Sequence, residues 1–117
     1  NISTMLNFCS KKIYDKNMKD DKKNKIYIGW PDLLSEEANC KNDQKFWKKE
    51  YEKHGTCCEK SYNQEQYFDL AMGLKDKFDL SKSFISYGII RGTNYTVQTI
   101  NNTVKAITQG FPSLSCT

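Results

Sequence analysis

The segment from Phe46 to Cys58 contains the residues best suited to chemistry, including His54, the only histidine of the chain. If this segment is helical, Glu50 lies one turn before His54 and Lys53 lies beside both, because helical residues three or four apart are neighbours. An imidazole is the usual general base near neutral pH. An ammonium group can stabilise developing negative charge, and a carboxylate can orient or share protons. The grouping predicts acid–base chemistry on a phosphate ester.

Two other interpretations of this segment stay open at the level of the residues. A Glu–Lys–His trio on a helix is also common as a solvated face without chemistry. His54, Cys57 and Cys58 are close enough in sequence to suggest zinc. Adjacent cysteines do not match the spaced ligand pairs of usual zinc sites, and an oxidising compartment favours disulfides. We therefore expect no metal and no other cofactor.

The length of the chain corresponds to one domain or part of one, and its charge is mildly basic. The chain has 117 residues, a net charge of +4 and a pI near 8.7. This mildly basic balance is compatible with a polyanionic partner, but it is far below that of a histone-like protein. No stretch is long and apolar enough to span a membrane, and no signal peptide opens the chain.

Cysteines and glycosylation sequons indicate a secreted glycoprotein with disulfides. Three Asn-x-Ser/Thr sequons begin at Asn1, Asn94 and Asn101. The odd number of cysteines predicts a bonding partner outside the chain, most simply for the one near the C-terminus. The five cysteines are Cys9, Cys40, Cys57, Cys58 and Cys116.

The elements that must position the cluster are predicted to be helices. Asn42 or Asp43 can cap a helix that runs to His54, and Gly55 lies where a left-handed stop would be. The spacing of Ile26 to Ile28 is ambiguous between a strand and a helix end.

Further helices are predicted downstream. Asn63 and Gln66 form a capping-box pattern before an apolar stripe that reaches Phe78. Asp79 can cap a short helix ending at Gly88. Apolar residues recur at helical spacing over 97–107, and 113–116 could begin a strand.

The most polar run of the chain is Lys11–Lys25, which is predicted to be an exposed loop or short helix. A solvated surface is favoured over a nucleic-acid patch, since no aromatic ladder runs through the segment.

Several motifs together resemble one family. The pattern Phe46-Trp47-x-x-Glu50-x-x-Lys53-His54-Gly55-Thr56-Cys57 resembles the second active-site segment of the ribonuclease T2 family. The segments 30–33, 57–58, 62–68, 74–80 and 95–101 resemble the S-ribonucleases, the stylar glycoproteins of self-incompatibility in nightshade-type plants. The resemblance runs from about Asn7 to Thr117. It implies an α+β fold of the ribonuclease T2 type, with helices packed on an antiparallel sheet.

The resemblance also implies an activity and its residues. His54 would be the general base on the 2′-OH, and Glu50 and Lys53 would stabilise the pentacovalent phosphorus. The reaction would be endonucleolytic cleavage of single-stranded RNA through a 2′,3′-cyclic phosphate, without a metal. Lys49 stands where many relatives carry a phosphate-contacting histidine, so a cation is kept at that position.

The family's first active-site segment, Phe-Thr-Ile-His-Gly-Leu-Trp-Pro, does not occur in the chain. That segment supplies the general-acid histidine. The resemblance thus implies that residues 1–117 are part of a single domain, an internal fragment truncated at both ends and nearly inert alone. Because the first active-site segment does not occur in the chain, an alternative stays open. The protein would then be a non-catalytic, ribonuclease-like extracellular glycoprotein used for recognition or storage.

Disulfides and partners follow from the same resemblance. Cys9 would pair with Cys57, Cys40 with Cys58, and Cys116 with a residue downstream. Lys11–Lys25 would belong to the variable region that family members expose to a pollen-side recognition protein. The protein would be a secreted monomer.

Overall fold

The computed structural model describes residues 6–112 and 114, and it is helical. A division after Gly73 separates two compact units, Asn1–Gly73 and Leu74–Thr117. The helices in chain order are α1 (Asp20–Gly29), α2 (Glu37–Asp43), α3 (Lys45–Lys53), a 3₁₀ turn (Gly55–Cys58), α4 (Gln64–Lys77), α5 (Leu80–Ser86) and α6 (Val97–Thr108).

The residues that the structure describes contain no strand, so the antiparallel sheet of the expected α+β fold stays a prediction. The strand expected to begin at 113–116 lies outside the described residues, except for Leu114. Ile26 to Ile28 form the end of α1 rather than a strand.

The core of the first unit is built mainly from aromatic rings. Trp47 and Tyr51, on α3, are fully buried, and Phe68 on α4 is 2% exposed. The Tyr51 and Phe68 rings lie 6.3 Å apart. Aromatic side chains bury large apolar areas and gain further from tilted and edge-to-face contacts. The other buried members of this cluster are Tyr14, Ile26 and Cys40.

α2 and α3 meet at Gln44, a left-handed residue with φ 53° whose side chain is buried. Tyr14 Oη donates to Gln44 Oε1 at 2.7 Å. Gln44 Nε2 donates to the carbonyl oxygens of Lys16 and Lys41. The expected start of α3 at Asn42 or Asp43 is therefore wrong, since both residues belong to α2. The break between the helices is set by the buried Gln44 amide instead of by a polar cap.

The Lys-rich run divides into a loop and a helix, which agrees with the predicted exposed loop or short helix. Residues 11–19 are irregular, and α1 contains the remainder. Lys22 Nζ contacts Asp69 on α4 at 2.8 Å and Glu65 at 3.2 Å. The hydrogen bond to Asp69 raises the pKa of Lys22. Gln64 receives a hydrogen bond from the N–H of Asp15 and donates one to its carbonyl oxygen.

Local signals correctly predicted two helix starts. Asn63 and Gln66 form the capping box of α4, with each side chain bonded to the other's backbone N–H at 2.9 Å. In the second unit, Asp79 Oδ1 accepts from Lys82 N at 3.1 Å and caps α5. That helix ends at Ser86, before the expected end at Gly88, which has φ 78°. Thr96 caps α6 through a bond to the N–H of Thr99.

Two buried tyrosines make a matched pair of stability tests. We expect Tyr14→Phe to lower the free energy of unfolding by about 1–3 kcal/mol, because Gln44 Oε1 would lose a buried donor. Tyr51 Oη is buried and has no hydrogen-bond partner among the described residues. Tyr51→Phe should therefore leave the free energy of unfolding unchanged or raise it. Urea unfolding measures both. Equal destabilisation by the two variants would contradict the assigned bond.

Stability at alkaline pH should also depend on Tyr14. Burial, followed by the negative charges of Asp15 and Cys40, raises the pKa of Tyr14 above its ordinary value of 10.0. The contribution is complete below pH 10 and is lost at higher pH, because the unfolded chain then ionises at this phenol while the folded chain does not. Urea midpoints measured from pH 8 to 11 should fall less steeply in Tyr14→Phe than in the unmodified chain.

Candidate active site

α3 carries the predicted cluster beside its buried rings, since Glu50 and His54 follow Trp47 by three and seven residues. Glu50 Oε2 lies 3.8 Å from His54 Nε2, and the two side chains are 23% and 40% exposed. This separation is too long for a hydrogen bond but short enough for an ion pair when the imidazole is protonated. The structure therefore brings together the carboxylate and the imidazole that the sequence singled out, both within reach of solvent.

The two lysines of the predicted site lie on the same helix. Lys53 is partly buried and Lys49 is exposed. They are four residues apart, and Lys53 is three residues from Glu50, so the helix brings them to neighbouring positions. A different face of α3 carries the exposed pair Lys48–Glu52, whose charged atoms are 4.0 Å apart. The cations of the cluster are thus available beside the Glu50–His54 pair.

Tyr67 is a neighbour of the cluster that sequence reasoning placed only in an apolar stripe. Its ring, on α4, packs 5.7 Å from that of Tyr51. Burial, followed by the negative charges of Glu50 and Cys58, raises the pKa of Tyr67. The phenol of Tyr67 is a potential hydrogen-bond donor beside the Tyr51 ring. A tyrosine among phenylalanines and leucines in the stripe was the only available sequence signal.

The end of α3 depends on Gly55 for a reason other than the one expected. The predicted left-handed stop is wrong, because the glycines with positive φ are Gly88 and Gly92 in the described part of the chain. Gly55 instead begins the 3₁₀ turn and packs against the Tyr51 ring, with which a Cβ at this position would collide. The glycine lets the chain turn over the aromatic core immediately after His54.

The segment around Cys9 is fastened to this same end of α3. Cys9 and Cys57 form a disulfide, with their Cα atoms 4.8 Å apart. The N–H of Phe8 donates to the carbonyl oxygen of Lys53 at 2.7 Å. Thr56 Oγ1 accepts from the N–H of Cys9 and donates to the carbonyl oxygen of Glu52. One covalent bond and three hydrogen bonds thus hold the backbone on both sides of His54.

The second expected disulfide is not formed. Cys40 and Cys58 are both free thiols in this structure. Cys40 is buried in the aromatic cluster, and its Sγ accepts from the N–H of Asp32 at 3.5 Å, while Cys58 is partly exposed in the 3₁₀ turn. The two thiols thus have different surroundings. Cys116, expected to pair downstream, lies outside the described residues.

A zinc site at the end of α3 would need Cys57 as a thiolate, and the disulfide with Cys9 uses that sulfur. Among residues 6–112 and 114, no group of three His, Cys, Asp or Glu side chains is arranged to hold a metal ion. What the cluster offers chemically is a carboxylate, an imidazole and two ammonium groups.

The sequence as a whole matches one family model, that of the Ribonuclease T2 family, over residues 1–117. The chain belongs to the ribonuclease T2 family. Ribonuclease S-7 of Nicotiana alata is 60% identical to it over 120 residues, which cover 100% of this chain and 55% of that protein. The chain spans about half the length of the curated relatives it matches. The resemblance drawn from the motifs is confirmed.

Solved ribonucleases share the fold. The crystal structure of the self-incompatibility-associated SF11-RNase of Nicotiana alata superposes with a TM-score of 0.87 at 38% identity. The match covers 95% of this chain and 57% of that one. A mutant of RNase MC1 in complex with 5′-GMP gives a TM-score of 0.75 at 28% identity, over 92% of this chain and 55% of that one. The fold is ribonuclease T2-like.

None of the helices in the described part of this T2 chain has the length and apolar character that a membrane crossing requires. α3, which carries the cluster, has only nine residues.

Two glycines provide a test of how the cluster is positioned. We expect Gly55→Ala to lower the free energy of unfolding by about 1–3 kcal/mol, because the added methyl group must displace the Tyr51 ring. Gly73, inside α4, is the matched control, since nothing lies within 4 Å of a Cβ built there. Gly73→Ala should raise the free energy of unfolding by about 1 kcal/mol through helix propensity.

Urea unfolding of both variants checks this prediction. If Gly55→Ala were as stable as Gly73→Ala, the close packing of Gly55 on Tyr51 would be refuted.

Proposed function

We propose that the full-length protein is an endoribonuclease that cleaves single-stranded RNA by 2′-OH transesterification, through a 2′,3′-cyclic phosphate, in stylar self-incompatibility. The observation that carries this proposal is the Glu50–His54 pair, 3.8 Å apart and open to solvent, on one helix of a ribonuclease T2 chain. Names of relatives support it, since Ribonuclease S-7 and Ribonuclease S-6 of Nicotiana alata are 60% and 58% identical to the chain.

In the proposed reaction His54 accepts the proton of the 2′-OH as the oxygen attacks the adjacent phosphorus. The imidazolium so formed is stabilised by the Glu50 carboxylate, which is already within ion-pair distance. The bond from phosphorus to the 5′-oxygen then breaks, and that oxygen takes a proton from a second acid. The family's first active-site segment would supply this acid, so the residues of this chain perform one of two proton transfers.

Lys53 would stabilise the negative charge on the equatorial oxygens of the pentacovalent phosphorus, and Lys49 would bind phosphate. Preorganised cations contribute most where charge develops during the reaction. Lys49 supplies a positive charge but no imidazole at the position where many relatives carry a histidine, so its role is limited to binding phosphate. No cofactor and no metal enter the proposed reaction.

Other parts of the proposal concern the protein's surroundings. The Cys9–Cys57 disulfide supports secretion, because such bonds persist in oxidising compartments. The solved RNase MC1 mutants with 5′-GMP and 5′-UMP support binding of RNA as the substrate. We further propose a monomer that presents Lys11–Lys25 to a pollen-side recognition protein, and a downstream partner for Cys116. The exposed lysines of Lys11–Lys25 support the proposal that this segment is presented to a recognition protein.

The activity is tested by substituting His54 in the full-length protein. We expect His54→Ala to reduce the kcat for single-stranded RNA by about 10²–10⁴-fold, since it removes the general base. Lys48→Ala is the matched control, because it removes a cation from another face of α3, where Lys48 pairs with Glu52. That control should retain nearly full activity.

The cyclic phosphate intermediate can be followed with a defined oligonucleotide by chromatography. Undiminished hydrolysis by His54→Ala would refute the assigned base. A full-length protein without hydrolytic activity would instead support the alternative of a recognition or storage glycoprotein.

A further inference from the structure

The position of the His54 ring is set by its backbone, since the imidazole makes no hydrogen bond within residues 6–112 and 114. Its Nε2 lies 3.8 Å from Glu50 Oε2, beyond hydrogen-bond range. The backbone, in contrast, is bonded on both sides. The N–H of His54 donates to the carbonyl oxygen of Glu50 at 2.9 Å, and the carbonyl oxygen of His54 accepts from the N–H of Cys57 at 3.2 Å. The placement of the ring therefore follows from the path of the chain into and out of His54.

Thr56 holds the path out of His54 with a single buried hydroxyl. The residue is 2% exposed. Thr56 Oγ1 donates to the carbonyl oxygen of Glu52 at 2.8 Å and accepts from the N–H of Cys9, 47 positions earlier, at 3.2 Å. Threonine hydroxyls commonly bond to the carbonyl oxygen four residues earlier in a helix, but the bond from a distant backbone N–H is not a local feature. The hydroxyl thus joins the last turn of α3, the 3₁₀ turn after His54 and the segment around Cys9.

Loss of this hydroxyl alone would disturb the backbone next to His54. The N–H of Cys9 would lose its acceptor and the carbonyl oxygen of Glu52 would lose a donor, and polar groups left unpaired in a buried place are costly. The backbone would shift to give these groups new partners. The Cys9–Cys57 disulfide does not replace the lost bonds, because it links two side chains and binds neither backbone group. A catalytic group displaced by about 1 Å can lose about 10²-fold in rate.

We propose that Thr56 is a positioning residue for RNA cleavage, whose hydroxyl fixes the backbone after His54 and so keeps the imidazole beside Glu50. The inference rests on the function proposed above, and it assigns no contact between Thr56 and the substrate. Because Thr56 acts through the backbone of His54, loss of its hydroxyl should lower the kcat and leave the KM for RNA nearly unchanged.

Thr108 provides a matched control at the end of α6. Thr108 Oγ1 donates to the carbonyl oxygen of Val104 at 2.9 Å and accepts from the N–H of Gly110 at 3.3 Å. These are the same two kinds of bond that Thr56 makes, in the unit that contributes no residue to the α3 cluster. Thr108→Val should therefore change the stability of the protein without changing its kcat.

The experiment compares side chains of nearly equal size, with and without the hydroxyl, at position 56 of the full-length protein. Thr56→Val should reduce the kcat for a single-stranded RNA by about 10–100-fold relative to the unmodified protein. Thr56→Ser should keep most of the activity, whereas Thr56→Ala should lose it as Thr56→Val does. Urea unfolding shows whether each variant is folded at the assay temperature. If Thr56→Val does not fold, the serine and alanine variants still isolate the effect of the hydroxyl.

The NMR signals of the His54 ring, assigned by their absence from His54→Ala, give a measurement that does not depend on hydrolysis. They should shift in Thr56→Val and Thr56→Ala, and stay in place in Thr56→Ser and Thr108→Val. Equal kcat values for Thr56→Ser and Thr56→Ala, or His54 signals unmoved by loss of the hydroxyl, would overturn the proposal. If His54→Ala were fully active while Thr56→Val shifted the signals, the proposed base would fail and the positioning of His54 by Thr56 would stand.

Discussion

Burial of Trp47 and Tyr51 on one side of α3 is the constraint on which the site depends. Both side chains are fully buried, and Trp47 Nε1 donates to the carbonyl oxygen of Trp30 at 2.8 Å. A helix with two large aromatic anchors cannot rotate about its axis without exposing them, which would cost several kcal/mol. The fixed rotation of α3 in turn sets the positions of Glu50 and His54, which follow Trp47 by three and seven residues.

A second constraint acts at the end of the helix, where a rotated or frayed last turn would separate His54 from Glu50. Helix ends normally leave carbonyl oxygens without partners inside the helix. Here the carbonyl oxygens of Lys53 and Glu52 accept hydrogen bonds from Phe8 and Thr56. The chain segment near Cys9 therefore completes the helix that carries the proposed base, and Cys57 makes the attachment covalent.

Parts of the structure that depend on local patterns could be predicted from the sequence. The spacing of Glu50, Lys53 and His54 placed them together on a helix, and the signals at Asn63 and Asp79 placed two helix starts. The rest depends on contacts between distant residues. Gln44 takes a left-handed conformation because Tyr14 and the backbone bind its side chain, and no pattern near Gln44 encodes this. The signals near position 42 predict a cap at the wrong place because the contacts of Gln44 come from distant residues.

The same reasoning explains the other corrections. The usual role of glycine at helix ends predicts a left-handed stop at Gly55, but the close approach of the Tyr51 ring is what requires a glycine. Tyr67 belongs to the apolar stripe in the sequence, and only the packing of α4 on α3 brings its ring to Tyr51. The pairing of Cys40 with Cys58 came from the family resemblance, and the structure leaves both thiols free.

The Cys9–Cys57 bond joins residues 48 positions apart and so closes a ring that contains α1, α2, α3 and the Lys-rich run. Exposed lysines in residues 11–19 are natural cleavage points for proteases that cut after basic residues. A single cut there opens the ring but releases no peptide, because the disulfide still joins the two pieces. The α3 cluster would remain attached to the segment that supports it. The cleavage would yield two separate fragments only after the Cys9–Cys57 disulfide is reduced.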